Sequence, residues 1–297
     1  MEKLLKSSGY ISARPLLKGW SRDKKYILRK ADGTRHLLRV SDASLFEKKR
    51  EQFELLKGLE GLEMICSRPV DFGRLGDGSV YTVLTYLEGV DGAEAVRRAD
   101  DAEAYRLGRE AGKTLRLIHG LGIPKQERTW GERYRAKMPR KIQAMMDCPY
   151  SIPNRELVLD IYRESAAAMD ARPVVLCHGD YHLGNMIVNS GHIGIIDFDK
   201  AGPADPYDEL KPFCWNVMVS EYFETGLING YFNDSVPDDF FPILKLYTAE
   251  SLVSQLPWSV PFGEAEIRTA LNVADLQMKW YDGFRLTVPT WYKREAP

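Results

Sequence analysis

Hydrophobic and polar positions alternate near the start of the chain in a way that predicts a small sheet. Two strand-like runs, 25–30 and 35–40, flank Asp32-Gly33, a dipeptide that favours a tight hairpin turn. Apolar residues then recur at helical spacing over 44–59, and a second hairpin pattern covers 70–87. This part of the chain is therefore predicted to be an antiparallel sheet with one helix.

From residue 93 onward the spacing of apolar residues is mostly helical. Helices are predicted over 93–118 and over 124–172, with breaks at Pro149 and Pro153. A short apolar run at 174–176 and a hairpin pattern over 186–196 interrupt them, and the chain is mostly helical again after Asp208.

Length and composition allow a large buried core. The chain has 297 residues, 44% hydrophobic and 28% charged, enough for one or two domains. No stretch suits a transmembrane helix, and the first residues lack the apolar region of a signal peptide. Four scattered cysteines indicate reduced thiols rather than disulfides or a zinc site. We therefore expect a cytoplasmic protein.

The most informative segment lies between the two interruptions of the helical region. His178, Asp180 and Asn185 keep the spacing of a kinase catalytic loop, with Gly179 in place of its arginine, and Asp197 follows after a predicted hairpin. A carboxylate can orient a hydroxyl and accept its proton, while carboxylate and amide oxygens suit magnesium. The pattern predicts Asp180 as the catalytic base and Asn185 and Asp197 as Mg²⁺ ligands.

Local structure supports this placement, and two alternatives remain. The hairpin would have Asn185 at its entrance and Asp197 at its exit, close in space. His178 and His182 could instead join Asp180 and Asp197 in a metallohydrolase site. Alternatively, Asp180 could cap a turn and Asp197 could be a surface loop acid. Because the histidines lie in a glycine-containing loop, we favour His178 as a buried support of that loop.

These residues resemble the aminoglycoside phosphotransferase (antibiotic kinase) family. The resemblance is strongest from Thr114 to Glu209, including the segments 176–197, 202–209 and 115–119. It implies an α+β, bilobal protein-kinase-like fold, with a nucleotide lobe over 1–88 and a helical catalytic and substrate-binding lobe over 89–297. It also implies transfer of the γ-phosphate of ATP or GTP, with Mg²⁺, to a hydroxyl of a small molecule.

The resemblance also assigns nucleotide-binding residues, with two departures from the protein-kinase pattern. No Gly-x-Gly-x-x-Gly is present, and Ser21 stands at the phosphate-covering turn. Arg39 replaces the expected lysine of the third strand, where it can still clamp phosphates. Its expected helix partner is Glu51, or alternatively Glu47.

Two further groups flank the expected site. Tyr86 and Leu87 lie in the predicted interlobe hinge, beside the nucleotide base. Three acids follow the metal segment on the substrate side: Asp205, Asp208 and Glu209. For Asp205 and Asp208, helix caps or loop anchors are favoured over catalysis.

Charge is distributed unevenly although the net charge is only −1. The first sixty residues carry an excess of lysine and arginine, whereas acids dominate 201–267. An acidic helical lobe favours a cationic acceptor and disfavours nucleic acid or acidic membranes. We expect an aminoglycoside-type acceptor and a monomer or weak dimer. Macrolides, choline, homoserine and glycated amines remain alternative acceptors, and a catalytically silent binding protein is a further alternative.

Overall fold

The computed structural model describes residues 2–17, 23–123 and 125–297. The chain forms two compact units. Met1–Val90 and Asn185–Asp199 make up the first, and Asp91–Gly184 and Lys200–Pro297 the second. The sequence placed a single boundary between residues 88 and 89. It did not anticipate that the segment after the catalytic loop packs with the first unit.

An antiparallel five-stranded sheet dominates the first unit, in the order β1-β2-β3-β6-β5. Its strands are β1 (Tyr10–Pro15), β2 (Lys24–Lys30), β3 (Arg35–Ser41), β5 (Pro69–Arg74) and β6 (Val80–Thr85). The predicted turn at Asp32-Gly33 is confirmed, because Gly33 has a φ of +90° and the Thr34 N–H donates to Asp32 Oδ1 at 2.9 Å. Leu28, Leu38 and Val83 form the buried core of this sheet.

Two helices and a smaller sheet complete this unit. The helices are α1 (Glu2–Ser7) and α2 (Phe46–Gly58). The second sheet contains β4 (Ile65–Cys66), β10 (His192–Ile195), β9 (Met186–Asn189) and, at the division between the units, β7 (Val90–Asp91). The predicted hairpin is confirmed: β9 and β10 are antiparallel, and the turn residues Ser190 and Gly191 both have positive φ angles.

Helices dominate the second unit, as the apolar spacing predicted. They are α3 (Gly92–Arg98), α4 (Asp101–His119), α5 (Trp130–Met146), α6 (Arg155–Ser165), α7 (Phe213–Val217), α8 (Glu221–Phe232), α9 (Phe240–Ser259) and α10 (Glu264–Trp280). A two-stranded antiparallel sheet of β8 (Val175–Cys177) and β11 (Gly202–Ala204), not predicted from the sequence, accompanies them. No helix in the described ranges is both long and apolar enough to cross a bilayer.

Glycines bring α4 and α8 into backbone contact. Each helix carries two glycines four residues apart, so both lie on one face. A methyl group on any of the four would lie 2.0–2.3 Å from a carbonyl oxygen of the other helix. The glycines are Gly108, Gly112, Gly226 and Gly230. Side chains are therefore excluded from this contact, and the two helices fix each other's position.

Candidate active site

The segment from His178 to Gly184 belongs to the second unit and follows β8 directly. The side chain of His178 is fully buried, and its Nδ1 lies 3.3 Å from the Asp180 backbone nitrogen, whose N–H donates to it. Its ring also packs edge-on against Tyr181. The phenol of Tyr181 donates to the backbone carbonyl of Ala111 on α4 at 2.7 Å. These contacts attach the loop to the helical core.

Gly179 cannot be replaced by a residue with a side chain without moving the backbone. Its φ is +84°, and a methyl group there would lie 2.3 Å from the carbonyl oxygen of Lys200. The Gly179 N–H donates to both carboxylate oxygens of Glu209, at 2.9 and 3.1 Å. The glycine in place of the kinase arginine thus has a steric cause.

Asp180 is held ionised although it is partly buried. Its carboxylate is 31% exposed, and it lies 3.1 Å from Lys200 Nζ and 3.7 Å from His182 Nε2. Burial opposes ionisation, but the hydrogen bond from His182 and the charge of Lys200 outweigh it, so the pKa of Asp180 lies below its ordinary value. At neutral pH this carboxylate can accept a hydrogen bond from a hydroxyl.

Two buried acids, Glu209 and Glu224, stabilise the loop through hydrogen bonds, Glu209 directly and Glu224 through Asn216. Glu209 is 3% exposed, and His119 Nε2 at the end of α4 lies 3.8 Å from its Oε2. Asn216 Oδ1 accepts the N–H of Leu183 at 2.8 Å, and Asn216 Nδ2 donates to Glu224 Oε2 at 2.7 Å. Backbone groups of the loop are thus bound by side chains from α7 and from the turn before it.

Glu224 makes the stability of the protein depend on pH. Burial raises the pKa of Glu224 to about 8, even though the hydrogen bond from Asn216 favours the ionised form. Because the pKa of Glu224 is higher in the folded than in the unfolded protein, its protonated form stabilises the folded state. This contribution to the free energy of unfolding is complete below about pH 4.5 and is lost as pH rises through about 8. Glu224→Gln keeps a neutral hydrogen-bonding group. We expect its free energy of unfolding, measured by urea denaturation from pH 5 to 9, to fall less than that of the wild type. Parallel curves would contradict this assignment.

The three substrate-side candidates accept hydrogen bonds from other residues of the second unit. Asp205 is fully buried and accepts hydrogen bonds from Arg172 Nε at 2.7 Å and from Tyr247 OH at 2.6 Å. Asp208 accepts from Lys211 Nζ at 2.7 Å, and Glu209 holds Gly179 as described above. These contacts are those of loop anchors, the role that the sequence favoured for Asp205 and Asp208.

Much of the acidic excess over 201–267 is compensated by nearby groups. Glu250 is fully buried within 2.7–3.6 Å of three lysine ammonium groups: Lys141, Lys137 and Lys211. Glu224 is mostly protonated at neutral pH, and Asp234 pairs with Arg109. Counting acids therefore overstated the attraction of this segment for a cation, because composition does not reveal which charges are paired.

Asn185 and Asp197 lie in the first unit, at the same end of the β9–β10 hairpin. Met186 pairs with Ile195, and the Ile196 N–H donates to the Asn185 carbonyl at 3.0 Å. Asp197 has a φ of +65°, a left-handed conformation that aspartate adopts more readily than most residues. Its side chain is 34% exposed. The two oxygen-bearing side chains predicted as metal ligands thus come from adjacent ends of two paired strands.

Arg39 on β3 lies in a cluster of charges within the same unit. Its guanidinium lies 2.9 Å from Asp197 Oδ1 and 3.0 Å from Asp23 Oδ2, and it also pairs with Asp199. The α2 residue in this cluster is Lys49, 3.0 Å from Asp23 Oδ2 and 3.2 Å from Asp199 Oδ2. The carboxylates around Arg39 make its pKa higher than usual although burial opposes the charge.

The expected helix partners of Arg39 lie elsewhere on α2. Glu51 is exposed, and Glu47 pairs with the neighbouring Arg50 at 2.5 Å. The helix therefore contributes a cation to the charge cluster, in contrast to the acid that the sequence led us to expect.

The remaining nucleotide-site candidates lie at the end of β6 or outside the described residues. Tyr86 and Leu87 follow β6 and are partly buried, and the guanidinium of Arg35 lies 4.6 Å from the centre of the Tyr86 ring. Ser21 falls outside the described residues.

Comparison with known proteins identifies the class to which this fold and site belong. The model of the APH phosphotransferase enzyme family matches residues 12–238. The chain therefore belongs to this phosphotransferase family and is a kinase-type transferase, which confirms the resemblance seen in the sequence. An aminoglycoside 3'-phosphotransferase from Niallia circulans is 25% identical over 219 residues, which is 71% of this chain and 80% of the relative.

Solved structures show the same fold. A thermostable mutant of aminoglycoside phosphotransferase APH(4)-Ia, in a ternary complex with ADP and hygromycin B, aligns with a TM-score of 0.70 and 17% identity, covering 93% of this chain and 96% of that one. The GDP complex of wild-type aminoglycoside 2'-phosphotransferase-IIIa aligns with a TM-score of 0.69 and 16% identity, covering 93% and 98%. This likeness confirms the predicted α+β kinase-like fold.

Several residues of the charge cluster and the loop support were missed by sequence reasoning, among them Lys49, Asp199 and Glu224. Lys49 had a readable signal, because it lies on the apolar stripe of α2, three residues after Phe46 and four before Phe53. Asp199 stands two residues after Asp197 and was assigned no role from the sequence. Glu224 had no signal beyond an acid among apolar residues.

Proposed function

We propose that this protein transfers the γ-phosphate of a nucleoside triphosphate to a hydroxyl of an aminoglycoside-type antibiotic. The observation that carries the proposal is the ionised, partly exposed carboxylate of Asp180 on a loop fixed by buried hydrogen bonds, in a chain of this phosphotransferase family. The aminoglycoside 3'-phosphotransferase relative and the neighbour with bound ADP and hygromycin B support the acceptor class.

In this proposal Asp180 touches the acceptor. Its carboxylate accepts a hydrogen bond from the acceptor hydroxyl, orients it towards the γ-phosphate and takes its proton as the new oxygen–phosphorus bond forms. The bond between the γ-phosphorus and the oxygen of the β-phosphate breaks in the same step, and the nucleoside diphosphate leaves with that oxygen. His178 and Glu209 act as positioning residues, because His178 accepts the backbone N–H of Asp180 and Glu209 accepts that of Gly179. Asp205 and Asp208 anchor the following segment.

The donor side of the reaction would be held by residues of the first unit. Asn185 and Asp197 offer the hard oxygen ligands that Mg²⁺ prefers, from the same end of one hairpin. The ion would neutralise charge on the phosphates of ATP or GTP. Arg39 would bind those phosphates, and Tyr86 and Leu87 would flank the base. Glu51 was also expected at the nucleotide site from the sequence, and in the structure it is an exposed residue of α2.

A direct assay tests the proposal. Purified protein is incubated with Mg²⁺ and either ATP or GTP against a panel of aminoglycosides, macrolides, choline, homoserine and a glycated amine. We expect a phosphate-sized mass gain on an aminoglycoside. Phosphorylation of another acceptor alone would replace the proposed substrate class. Nucleotide binding without transfer to any acceptor would favour a silent binding protein.

Together with His182, Lys200 lowers the pKa of Asp180. Its ammonium lies 3.1 Å from the carboxylate, and removing this charge raises the pKa of Asp180. We expect the acidic limb of the kcat/KM profile of Lys200→Ala to move to higher pH. Lys279→Ala, at an exposed lysine of α10, serves as the control and should keep the wild-type profile. An unmoved acidic limb in Lys200→Ala would show that Asp180 does not set it.

A further inference from the structure

Lys49 is the middle residue of Lys48-Lys49-Arg50, and it differs from both neighbours in its environment. Lys48 and Arg50 are exposed on α2, whereas the Lys49 side chain is only 9% exposed. Burying a lysine among apolar residues is unfavourable unless its charge is used or compensated. Its compensation comes from the carboxylates that also bind Arg39.

Arg39 and Lys49 converge on the same oxygen atoms. Nη2 of Arg39 and Nζ of Lys49 both lie 3.0 Å from Asp23 Oδ2. Both cations also bind Oδ2 of Asp199. An anionic oxygen that took the place of either of these two carboxylate oxygens would therefore be within reach of both cations.

The cluster borders a cavity of the first unit. Its polar lining includes both cations together with Gln52, Thr82, Asp197 and Asp199. A phosphate group presents several acceptor oxygens around one centre, so it can bind a guanidinium and an ammonium at once. A carboxylate in the same place offers two oxygens and a single charge.

We propose that Lys49 is a second phosphate-binding cation of the nucleotide site, acting with Arg39 on the phosphates of a nucleoside triphosphate. The inference rests on the proposed kinase function and adds a residue that the protein-kinase pattern does not contain. Asp23 binds the same two cations and competes with the phosphates for them. The α2 helix therefore contributes a lysine that binds the nucleotide phosphates. In the protein-kinase pattern the corresponding helix contributes a glutamate that pairs with the cation of the third strand.

Nucleotide affinity measured by titration calorimetry tests the role of Lys49. The probes are ATP, GTP and the corresponding monophosphates, each with Mg²⁺, and thermal melting is recorded in parallel. Lys49→Met preserves the apolar stem on the helix stripe, and we expect it to weaken triphosphate binding about ten- to hundredfold. Monophosphate binding should change much less. Lys48→Met, one residue earlier and exposed, should bind like the wild type.

Two further variants separate a phosphate contact from a structural ion pair. Lys49→Arg retains the charge and should recover most of the affinity. Asp23→Asn removes a competing anion and should tighten triphosphate binding several-fold. If Asp23 only held Arg39 and Lys49 in place, the same substitution would weaken triphosphate binding. These two measurements decide the question even if Lys49→Met does not fold.

The outcomes distinguish this inference from the proposed function. Wild-type affinity in Lys49→Met with a lowered melting temperature would overturn the phosphate contact alone. Weaker triphosphate binding in Asp23→Asn would also overturn it. A wild-type protein that binds neither ATP nor GTP would overturn the proposed kinase function, and this inference with it.

Discussion

Replacing Asp180 by alanine is expected to lower turnover about a thousandfold or more, because one group both positions the acceptor hydroxyl and takes its proton. Nucleotide affinity should stay close to that of the wild type, since the carboxylate is assigned to the acceptor. Steady-state kinetics and nucleotide titration on the same preparations measure the two effects separately.

Asp160→Ala is a matched control for this experiment. Asp160 lies on α6, 55% exposed, and pairs with Arg163 at 2.7 Å. The variant should retain full activity. If Asp180→Ala turned over within about tenfold of the wild type, Asp180 would not be the base, since general base catalysis alone contributes more than that. A large loss of nucleotide affinity would instead assign Asp180 to the donor side.

Gly112→Ala is expected to destabilise the protein strongly. Its new methyl group would lie 2.0 Å from the carbonyl oxygen of Leu227, so α4 and α8 must separate. Overpacking of this kind costs about 3 kcal/mol or more in the free energy of unfolding. Helix propensity alone predicts the opposite sign, because alanine stabilises a helix by about 1 kcal/mol relative to glycine. The sign of the change in the free energy of unfolding, measured by urea denaturation, therefore distinguishes overpacking from helix propensity.

A glycine in open surroundings provides the comparison. A methyl group on Gly58, at the end of α2, meets no heavy atom within 4 Å. Gly58→Ala should leave stability unchanged or raise it slightly. Equal stability of Gly112→Ala and the wild type would show that the helix contact is looser than described. Activity should fall along with stability in Gly112→Ala, because Tyr181 of the catalytic loop donates to Ala111, the residue next to this glycine.

The sequence predicted those features whose causes are local. The β2–β3 hairpin follows from Asp32-Gly33, and the β9–β10 hairpin from a polar turn between two apolar runs. The helices of the second unit follow from apolar spacing. The segment from His178 to Asn185 was predicted to be catalytic because that chemistry requires specific residue types at fixed intervals.

What the sequence could not predict depends on contacts between distant segments. The choice of Lys49 over Glu51 is decided by which face of α2 lies next to Asp23 and Asp199. The pKa of Glu224 is set by its burial, which one acid in an apolar run does not reveal. The excess of acids after Ala201 was misleading for the same reason, since Lys137 and Lys141, which neutralise Glu250, lie about a hundred residues earlier.

The tight fit at Gly179 limits how this loop can be redesigned. Protein kinases carry arginine there, so a graft of their His-Arg-Asp sequence differs from this chain by one residue. A single exchange would nevertheless push a side chain into the Lys200 carbonyl and break the paired hydrogen bonds to Glu209. A transplant between the two kinds of enzyme must therefore change the backbone at Lys200 and the residue Glu209 together with the loop.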